Sequence, residues 1–191
     1  MEAPKKNILI SGPPGSGKST LLMEIVRELE RRGVSVRGIM CPEIRIGRSR
    51  WGFKVVSYPD GVEEILASVN IREGPRVSKY GVNIEGFERV GVSAILDAVR
   101  SPDVSVILID EIGKMELFSR KFRGAVSEAL NSQKVVLGVL GRVNDPLVKN
   151  IRRRNDTLVI ELWRGMTAAE RRSIKERILG LIMRVLSKRT T

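Results

Sequence analysis

Two hydrophobic patterns alternate along the chain. Short continuous apolar runs are typical of strands buried on both faces, and they lie at 7–11, 34–41, 104–109, 134–140 and 157–162. Between these runs, apolar residues recur at spacings of three and four, which is the period of a helix packed on one side. Such segments lie at 18–32, at 87–99, at the positions Phe118, Phe122, Val126 and Leu130, and after the capping box 167–170. The alternation predicts an α/β fold in which a mostly parallel sheet is flanked by helices.

The region after the second apolar run has a different pattern. Residues 51–58 and 62–69 flank Pro59-Asp60-Gly61, and together they predict two strands joined by a turn. Residues 79–84 predict another strand, whereas 43–50 is a basic stretch without apolar periodicity and is predicted to be a loop. We therefore expect an inserted antiparallel section in the sheet.

A glycine-rich segment between the first strand and the first helix carries the strongest chemical signal. Residues 12–19 read GPPGSGKS, which fits the pattern G-x-x-x-x-G-K-[ST] of a phosphate-binding loop. In such a loop, backbone N–H groups and the positive end of the following helix bind phosphate, and glycines allow the close approach. Lys18 is expected to neutralise phosphate charge, and the Ser19 hydroxyl to bind Mg²⁺. The predicted nucleotide-binding residues are Gly12, Pro13, Pro14, Gly15, Ser16, Gly17, Lys18, Ser19 and Thr20.

A pair of carboxylates after the apolar run 104–109 forms the second chemical motif. In P-loop proteins a second buried strand ends in an aspartate that holds Mg²⁺, and Asp110 is predicted to fill this role. Glu111 is predicted to orient and deprotonate a water behind the γ-phosphorus, which favours hydrolysis over transfer to an organic acceptor. No asparagine is followed by lysine, so the N-K-x-D reader of guanine is absent and strict guanine specificity is not expected.

Four segments together resemble one family. GPPGSGKST, CPEIR with WGFKVV, KYGVN and above all DEIGKMEL are similar to the small P-loop nucleoside triphosphatases known from thermophiles and as a cancer-related nucleoside triphosphatase. The resemblance is clearest over residues 7–140, and residues 142–166 match poorly and are more basic than expected. It implies a compact P-loop domain with slow, Mg²⁺-dependent hydrolysis of several ribonucleoside triphosphates. It also implies that Lys18, Ser19, Asp110 and Glu111 fill the roles given above.

Composition narrows the possible chemistry. The chain has no histidine and one cysteine, which excludes histidine-based zinc or triad chemistry and an internal disulfide. No apolar stretch approaches the roughly 20 residues of a membrane span and no secretory pattern opens the chain, so a cytoplasmic protein without membrane association is expected. No linker or repeat interrupts residues 1–191, which are predicted to form a single domain. A monomer is favoured, although the oligomeric state stays open.

The net charge of +12 keeps two other functions open. Residues 142–191 carry 13 Lys and Arg against 5 Asp and Glu, so nucleic acid is a possible partner, although a solvated basic surface is the favoured interpretation. One alternative is a nucleotide-dependent switch that binds RNA or DNA. The other is a P-loop kinase for a small or nucleic-acid acceptor, with residues 142–154 as a lid.

Several further side chains are weighed as site residues. Arg142 and Arg152 are candidates for stabilising transition-state charge on the γ-phosphate, although the run 152–154 is interpreted first as a solvated helix end. Lys114 has two equally favoured interpretations: it approaches the phosphates, or it is an exposed lysine of the loop. Trp51 and Trp163 are expected to pack beside their strands. The expected substrates are ATP, GTP, CTP and UTP, and the preferred base stays open.

Overall fold

The computed structural model describes residues 4–189. Its strands are β1 (Asn7–Ser11), β2 (Val36–Met40), β3 (Glu43–Ile46), β4 (Ser49–Tyr58), β5 (Glu63–Ser68), β6 (Arg76–Val77), β7 (Tyr80–Val82), β8 (Val106–Ile112), β9 (Val135–Leu140) and β10 (Thr157–Glu161). Its α-helices are α1 (Lys18–Arg31), α2 (Ile84–Phe87), α3 (Ser93–Arg100), α4 (Arg120–Asn131), α5 (Pro146–Arg153) and α6 (Ala168–Ser187). A π-helical turn (Glu88–Val92) joins α2 to α3, and a 3₁₀ turn (Glu116–Phe118) precedes α4.

The strands form one sheet of ten strands in the order β10-β1-β9-β8-β2-β4-β5-β7-β6, with β3 paired to β4. The strands from β10 to β2 run parallel to one another, and β4 pairs with β2 in the antiparallel sense. The predicted fold class is therefore confirmed, including the antiparallel section. The phosphate loop follows β1, which lies inside the parallel half of the sheet.

Helices cover both faces of the parallel strands. Along β1 the side chains alternate, so Leu9 faces one hydrophobic core whereas Ile8 and Ile10 face the other. Helices α3, α4 and α5 pack in the first core, and α1 and α6 pack in the second. Because both faces are covered, the central strands are apolar throughout, which explains the continuous runs in the sequence.

The basic stretch predicted to be a loop forms a hairpin instead. Residues Glu43–Ile46 make β3, which pairs with the start of β4. None of the β3 side chains is fully buried, so the strand has no apolar alternation that a sequence pattern could show. Glu43 forms ion pairs with Arg45 and Arg50 across this hairpin. The prediction of a loop was wrong because backbone pairing and charge pairing stabilise this strand.

Two element boundaries also differ from their predictions. Strand β8 does not end before Asp110 but continues to Ile112, so both carboxylates belong to its last residues. Helix α4 begins at Arg120, with the Ser119 hydroxyl accepting a hydrogen bond from the Phe122 amide at 3.0 Å. Phe118 therefore lies outside the helix and is 41% exposed.

The segment that resembles the family least folds into α5 and β10. Asp145 caps α5 by accepting a hydrogen bond from the Leu147 amide at 2.8 Å, and Pro146 occupies the first turn. The arginine run begins in the last turn of α5, as predicted. Among residues 4–189, no helix combines the length and apolar character needed to cross a membrane.

Candidate active site

The phosphate loop is shaped by three glycines, Gly12, Gly15 and Gly17, in a conformation that other residues rarely adopt. Gly12 has φ of +152°, and a Cβ there would lie 2.8 Å from the carbonyl oxygen of Leu162. Gly17 has φ of +78° and is the N-cap of α1, where it makes no side-chain capping bond. The first N–H groups of α1 therefore have no side-chain acceptor at this position and are suited to binding an anion.

Lys18 is held against the loop that precedes it. Its Nζ donates hydrogen bonds to the carbonyl oxygens of Gly12 at 2.8 Å and Pro13 at 3.1 Å. Desolvation raises the pKa values of Asp110 and Glu111, and the positive charge of Lys18 opposes that rise. The lysine thus acts electrostatically on both predicted carboxylates from the phosphate loop.

Asp110 and Ser19 are brought together by β8 and α1. Asp110 is 7% exposed, and the Ser19 hydroxyl lies near enough to its carboxyl group to lower the pKa of that group. Burial, together with repulsion from Glu111, raises the pKa of Asp110 to about 6, although Ser19 and Lys18 oppose the shift. A carboxylate and a hydroxyl are the oxygen ligands that Mg²⁺ prefers, so this pair fits the predicted metal site.

Glu111 and Glu116 place two further carboxyl groups beside Asp110. Burial raises the pKa of Glu111, while the charge of Lys18 lowers it. Both glutamate side chains pack against the α-carbon of Gly113, where a Cβ would collide with them. The absence of a side chain at position 113 therefore leaves the space that the two carboxyl groups occupy.

No pattern in the sequence indicated Glu116 as a site residue. It is 3% exposed, and its Oε2 has no hydrogen-bond partner among the described residues. Burial and the charge of Glu111 raise its pKa to about 8. It lies in a single 3₁₀ turn without periodicity, so the one available signal was its place in the DEIGKMEL segment.

These groups line a cavity of about 620 Å³, called here the acidic cavity. Its lining includes residues of the phosphate loop and Asp110, Glu111, Lys114 and Glu116. The remaining lining residues come from the antiparallel section, the segment before it and the turn after β8: Cys41, Pro42, Glu43, Arg50, Phe53, Val77 and Met115. The carboxylates predicted from the sequence thus share one cavity with the phosphate loop.

A second cavity of about 280 Å³ lies on the phosphate loop and is called here the tryptophan cavity. Its lining comprises Gly15, Ser16, Gly17 and Thr20 together with Trp163, Gly165, Met166 and Arg171. Trp163 is 47% exposed, so the expectation that it packs beside the last strand was wrong. The residue follows β10 in a turn that carries it to the cavity instead.

Two arginines attach this turn and α6 to the phosphate loop. The Arg171 guanidinium donates to the carbonyl oxygens of Ser16 at 3.1 Å and Gly17 at 2.7 Å. Arg164 Nε donates to the carbonyl oxygen of Pro14 at 3.0 Å. The far end of the chain therefore fixes the backbone of the phosphate loop, which no sequence motif indicated.

Comparison with known proteins gives consistent matches along the chain. The profile of a family described as NTPase matches residues 7–179. Nucleoside-triphosphatase THEP1 of Methanothermobacter thermautotrophicus is 45% identical over 152 residues, which is 80% of this chain and 84% of the relative. The protein of the same name from Methanopyrus kandleri is 36% identical over 96% of this chain and 98% of its own length. The chain belongs to the THEP1 nucleoside-triphosphatase family.

Solved structures of THEP1 relatives share the fold. The crystal structure of THEP1 from Aquifex aeolicus matches with a TM-score of 0.76 and 36% identity, covering 92% of this chain and 98% of that one. The solution structure of a human cancer-related nucleoside triphosphatase matches with a TM-score of 0.76 and 34% identity, covering 93% and 97%. The family resemblance noted in the sequence is thereby confirmed.

The candidate arginines of this THEP1 relative lie away from both cavities. Arg142 and Arg152 each pair with Glu161 at the end of β10, at 3.1 and 2.9 Å, and Arg152 also donates to the Ser11 hydroxyl at 3.0 Å. As far as residues 4–189 define the two cavities, neither arginine lines them, and neither does the half-buried Trp51 of β4. A transition-state role for either arginine stays a prediction.

Proposed function

We propose that this chain hydrolyses nucleoside 5′-triphosphates to the diphosphate and phosphate, using Mg²⁺, with ATP, GTP, CTP and UTP as substrates. The observation that supports this most is the gathering of Lys18, Ser19, Asp110 and Glu111 around one cavity beside the phosphate loop. The name that its relatives share, nucleoside-triphosphatase, supports the same reaction class.

The phosphate loop is the binding element of the proposal. Its backbone N–H groups and the N-terminus of α1 bind the phosphates, and Lys18 exchanges its carbonyl contacts for phosphate oxygens as a nucleotide enters. Ser19 and Asp110 would hold Mg²⁺. When bound, that ion neutralises charge on the β- and γ-phosphate oxygens.

Glu111 is proposed to act on the attacking water. The water oxygen forms a bond to the γ-phosphorus as the bond from that phosphorus to the β–γ bridging oxygen breaks, and Glu111 accepts the proton. Desolvation raises the pKa of Glu111, and the charge of Lys18 opposes that shift and favours the ionised form that this step requires.

Replacing Glu111 by glutamine tests the proposal. We expect kcat for phosphate release to fall by about 100-fold or more, because a general base contributes that much, while nucleotide affinity changes by less than about threefold. Phosphate release is measured with Mg²⁺ and each of the four triphosphates, without an added acceptor. Lys18→Ala serves as the inactive reference, and Glu176→Gln, an exposed change on α6, serves as the matched control.

Wild-type turnover in Glu111→Gln would contradict the role of this residue. Loss of nucleotide binding in the same variant would also contradict it, because the carboxylate would then be a binding group. Release that is absent in the wild type itself would overturn hydrolysis as the reaction.

A second candidate is phosphoryl transfer to a small hydroxyl compound. It is favoured by the size of the acidic cavity, since a water occupies about 30 Å³, and by its apolar wall of Phe53, Val77 and Met115. Glu111 would then accept the proton of the acceptor hydroxyl. Tight nucleotide binding without phosphate release in the assay above would favour this candidate over hydrolysis.

A further inference from the structure

An exposed indole marks the tryptophan cavity as more than a gap in the surface. Among the residues that the structure describes, the large apolar side chains that are exposed are Ile46, Val62, Phe118 and Trp163. Of these, Trp163 lines a cavity together with the phosphate loop. Beside this loop, the indole presents a flat aromatic face on which a base can stack.

The indole is held at a defined distance from the phosphate loop. The residue after Trp163 donates a hydrogen bond to Pro14, and Arg171 donates two to Ser16 and Gly17. A ligand whose phosphates occupy the loop therefore has its other end constrained relative to this ring. The contact is preorganised because the arginines order the turn before any ligand arrives.

Of the polar side chains that line the tryptophan cavity, those of Ser16 and Arg171 already bond within the protein, and the exposed residue Thr20 adds one hydroxyl. The Ser16 hydroxyl donates to the Pro13 carbonyl at 2.8 Å, and the Arg171 guanidinium is engaged by two backbone carbonyls. No carboxylate or side-chain amide is among the described lining residues. Hydrogen-bond recognition of one base edge is therefore weak here, whereas stacking on a ring is available to every base.

We propose that Trp163 is the platform on which the nucleobase stacks, and that the tryptophan cavity accepts all four bases because no carboxylate or side-chain amide among its described lining residues reads a base edge. This assignment rests on the proposed function, since it places the base end of the same nucleotides. Trp163 is then a specificity-determining residue whose effect is to broaden substrate choice. The two cavities divide one ligand, with the base in the tryptophan cavity and the γ-phosphate in the acidic cavity.

The kinetic test compares Trp163→Ala with Trp163→Phe, with Trp51→Phe as the control for loss of an indole elsewhere. We expect Trp163→Ala to raise KM for ATP, GTP, CTP and UTP alike, by about 5- to 100-fold, with kcat unchanged. Trp163→Phe keeps KM within about threefold because it retains a ring. Inorganic tripolyphosphate has no base, so its inhibition constant as a competitor stays the same in all variants.

Three kinetic results would overturn the proposal. The first is an unchanged KM in Trp163→Ala. The second is a rise confined to one nucleotide, which would show that the cavity selects a base. The third is an equal rise in the tripolyphosphate inhibition constant, which would show that the substitution acts by disturbing the phosphate loop.

A binding test separates this proposal from the proposed function. The chain has two tryptophans, so Trp51→Phe leaves Trp163 as the single indole. Its fluorescence should change saturably with ADP, GDP, CDP and UDP and stay constant with inorganic pyrophosphate. Equilibrium dialysis that shows binding of the diphosphates without any fluorescence change would refute the stacking. Because no turnover is needed, this result holds even if hydrolysis itself fails.

Discussion

The two cavities on the phosphate loop differ in chemistry although they share its backbone. The acidic cavity contains the buried carboxyl groups of Asp110 and Glu116 and the partly buried one of Glu111, and desolvation raises the pKa of all three. The tryptophan cavity has no carboxylate among its described lining residues, and its Arg171 donates hydrogen bonds to two backbone carbonyls. Both cavities include Gly15, Gly17 and Thr20, so the difference lies in the side chains around the loop: carboxyl groups line one cavity and an indole lines the other.

This contrast gives substitutions in each cavity a distinct kinetic signature. Changes among the carboxylates should alter the reaction step, because their charges act where the γ-phosphate would lie. Changes at Trp163 should alter affinity, because a stacked ring contributes equally before and during the reaction. A residue that holds the loop itself should affect both quantities.

The largest effect is expected for Asp110→Asn, in the acidic cavity. The change removes the carboxylate whose ionised form Ser19 favours at the predicted metal site. Mg²⁺-dependent phosphate release should therefore fall by about 100-fold or more. Titrating Mg²⁺ at fixed ATP should also show a higher half-saturating concentration. The control is Asp97→Asn, an exposed position on α3. An unchanged Mg²⁺ dependence would remove Asp110 from the metal site and weaken the contrast between the cavities.

An intermediate effect is expected for Arg171→Ala, which loosens the phosphate loop that both cavities share. Two hydrogen bonds from a charged donor to Ser16 and Gly17 are lost, so kcat/KM should fall by about tenfold, with both kcat and KM altered. Steady-state kinetics on ATP measure this, and Arg172→Ala, the exposed neighbour, is the matched control. If the two variants behave alike, the arginine does not hold the loop in its active shape.

The smallest effect is a pH dependence of stability that arises in the acidic cavity. Folded Glu116 keeps its proton up to a pKa of about 8, whereas the unfolded chain loses it near 4.5. Between these values the folded state binds more protons, so the free energy of unfolding should fall as pH rises, by at most about 1.4 kcal/mol per pH unit for this group.

Glu116→Gln should reduce that slope, whereas Glu176→Gln should leave it unchanged. Guanidinium unfolding of the nucleotide-free protein in a chelator, at pH 5 to 8.5, measures it. The slope should not vanish, since Asp110 and Glu111 are shifted in the same direction. Equal slopes in both variants would mean that Glu116 titrates near its ordinary value.

The parallel half of the sheet was predictable because its strands are buried on both faces. Runs such as 104–109 and 134–140 can be interpreted as strands without knowing their neighbours in space. The residue types and spacing of the motif 12–19 are enough to identify a phosphate loop. Asp110 and Glu111 could be placed because parallel strands end at one edge of a sheet. These inferences depend on residues that are adjacent in sequence.

The features that could not be predicted depend on distant contacts. Strand β3 is stabilised by pairing with β4 and buries no side chain completely, so it leaves no pattern. Glu116 is set apart by its burial near the charge of Glu111, which no local spacing reveals. In the sequence, Trp163 cannot be told apart from a tryptophan that packs in a core. Its exposure follows from the turn that Arg164 attaches to the phosphate loop, and this contact forms only in the folded chain.

The link between Arg171 and the phosphate loop has a consequence for synthesis. The loop is synthesised before its backbone partner, because Arg171 lies 155 residues after Ser16, and β10 pairs with β1 across a similar distance. A nascent chain can therefore form α1 early but reaches the final shape of the loop only when nearly all of α5, β10 and the start of α6 are available. A partial chain without α6 therefore lacks the hydrogen bonds from Arg171 that fix the backbone of the phosphate loop.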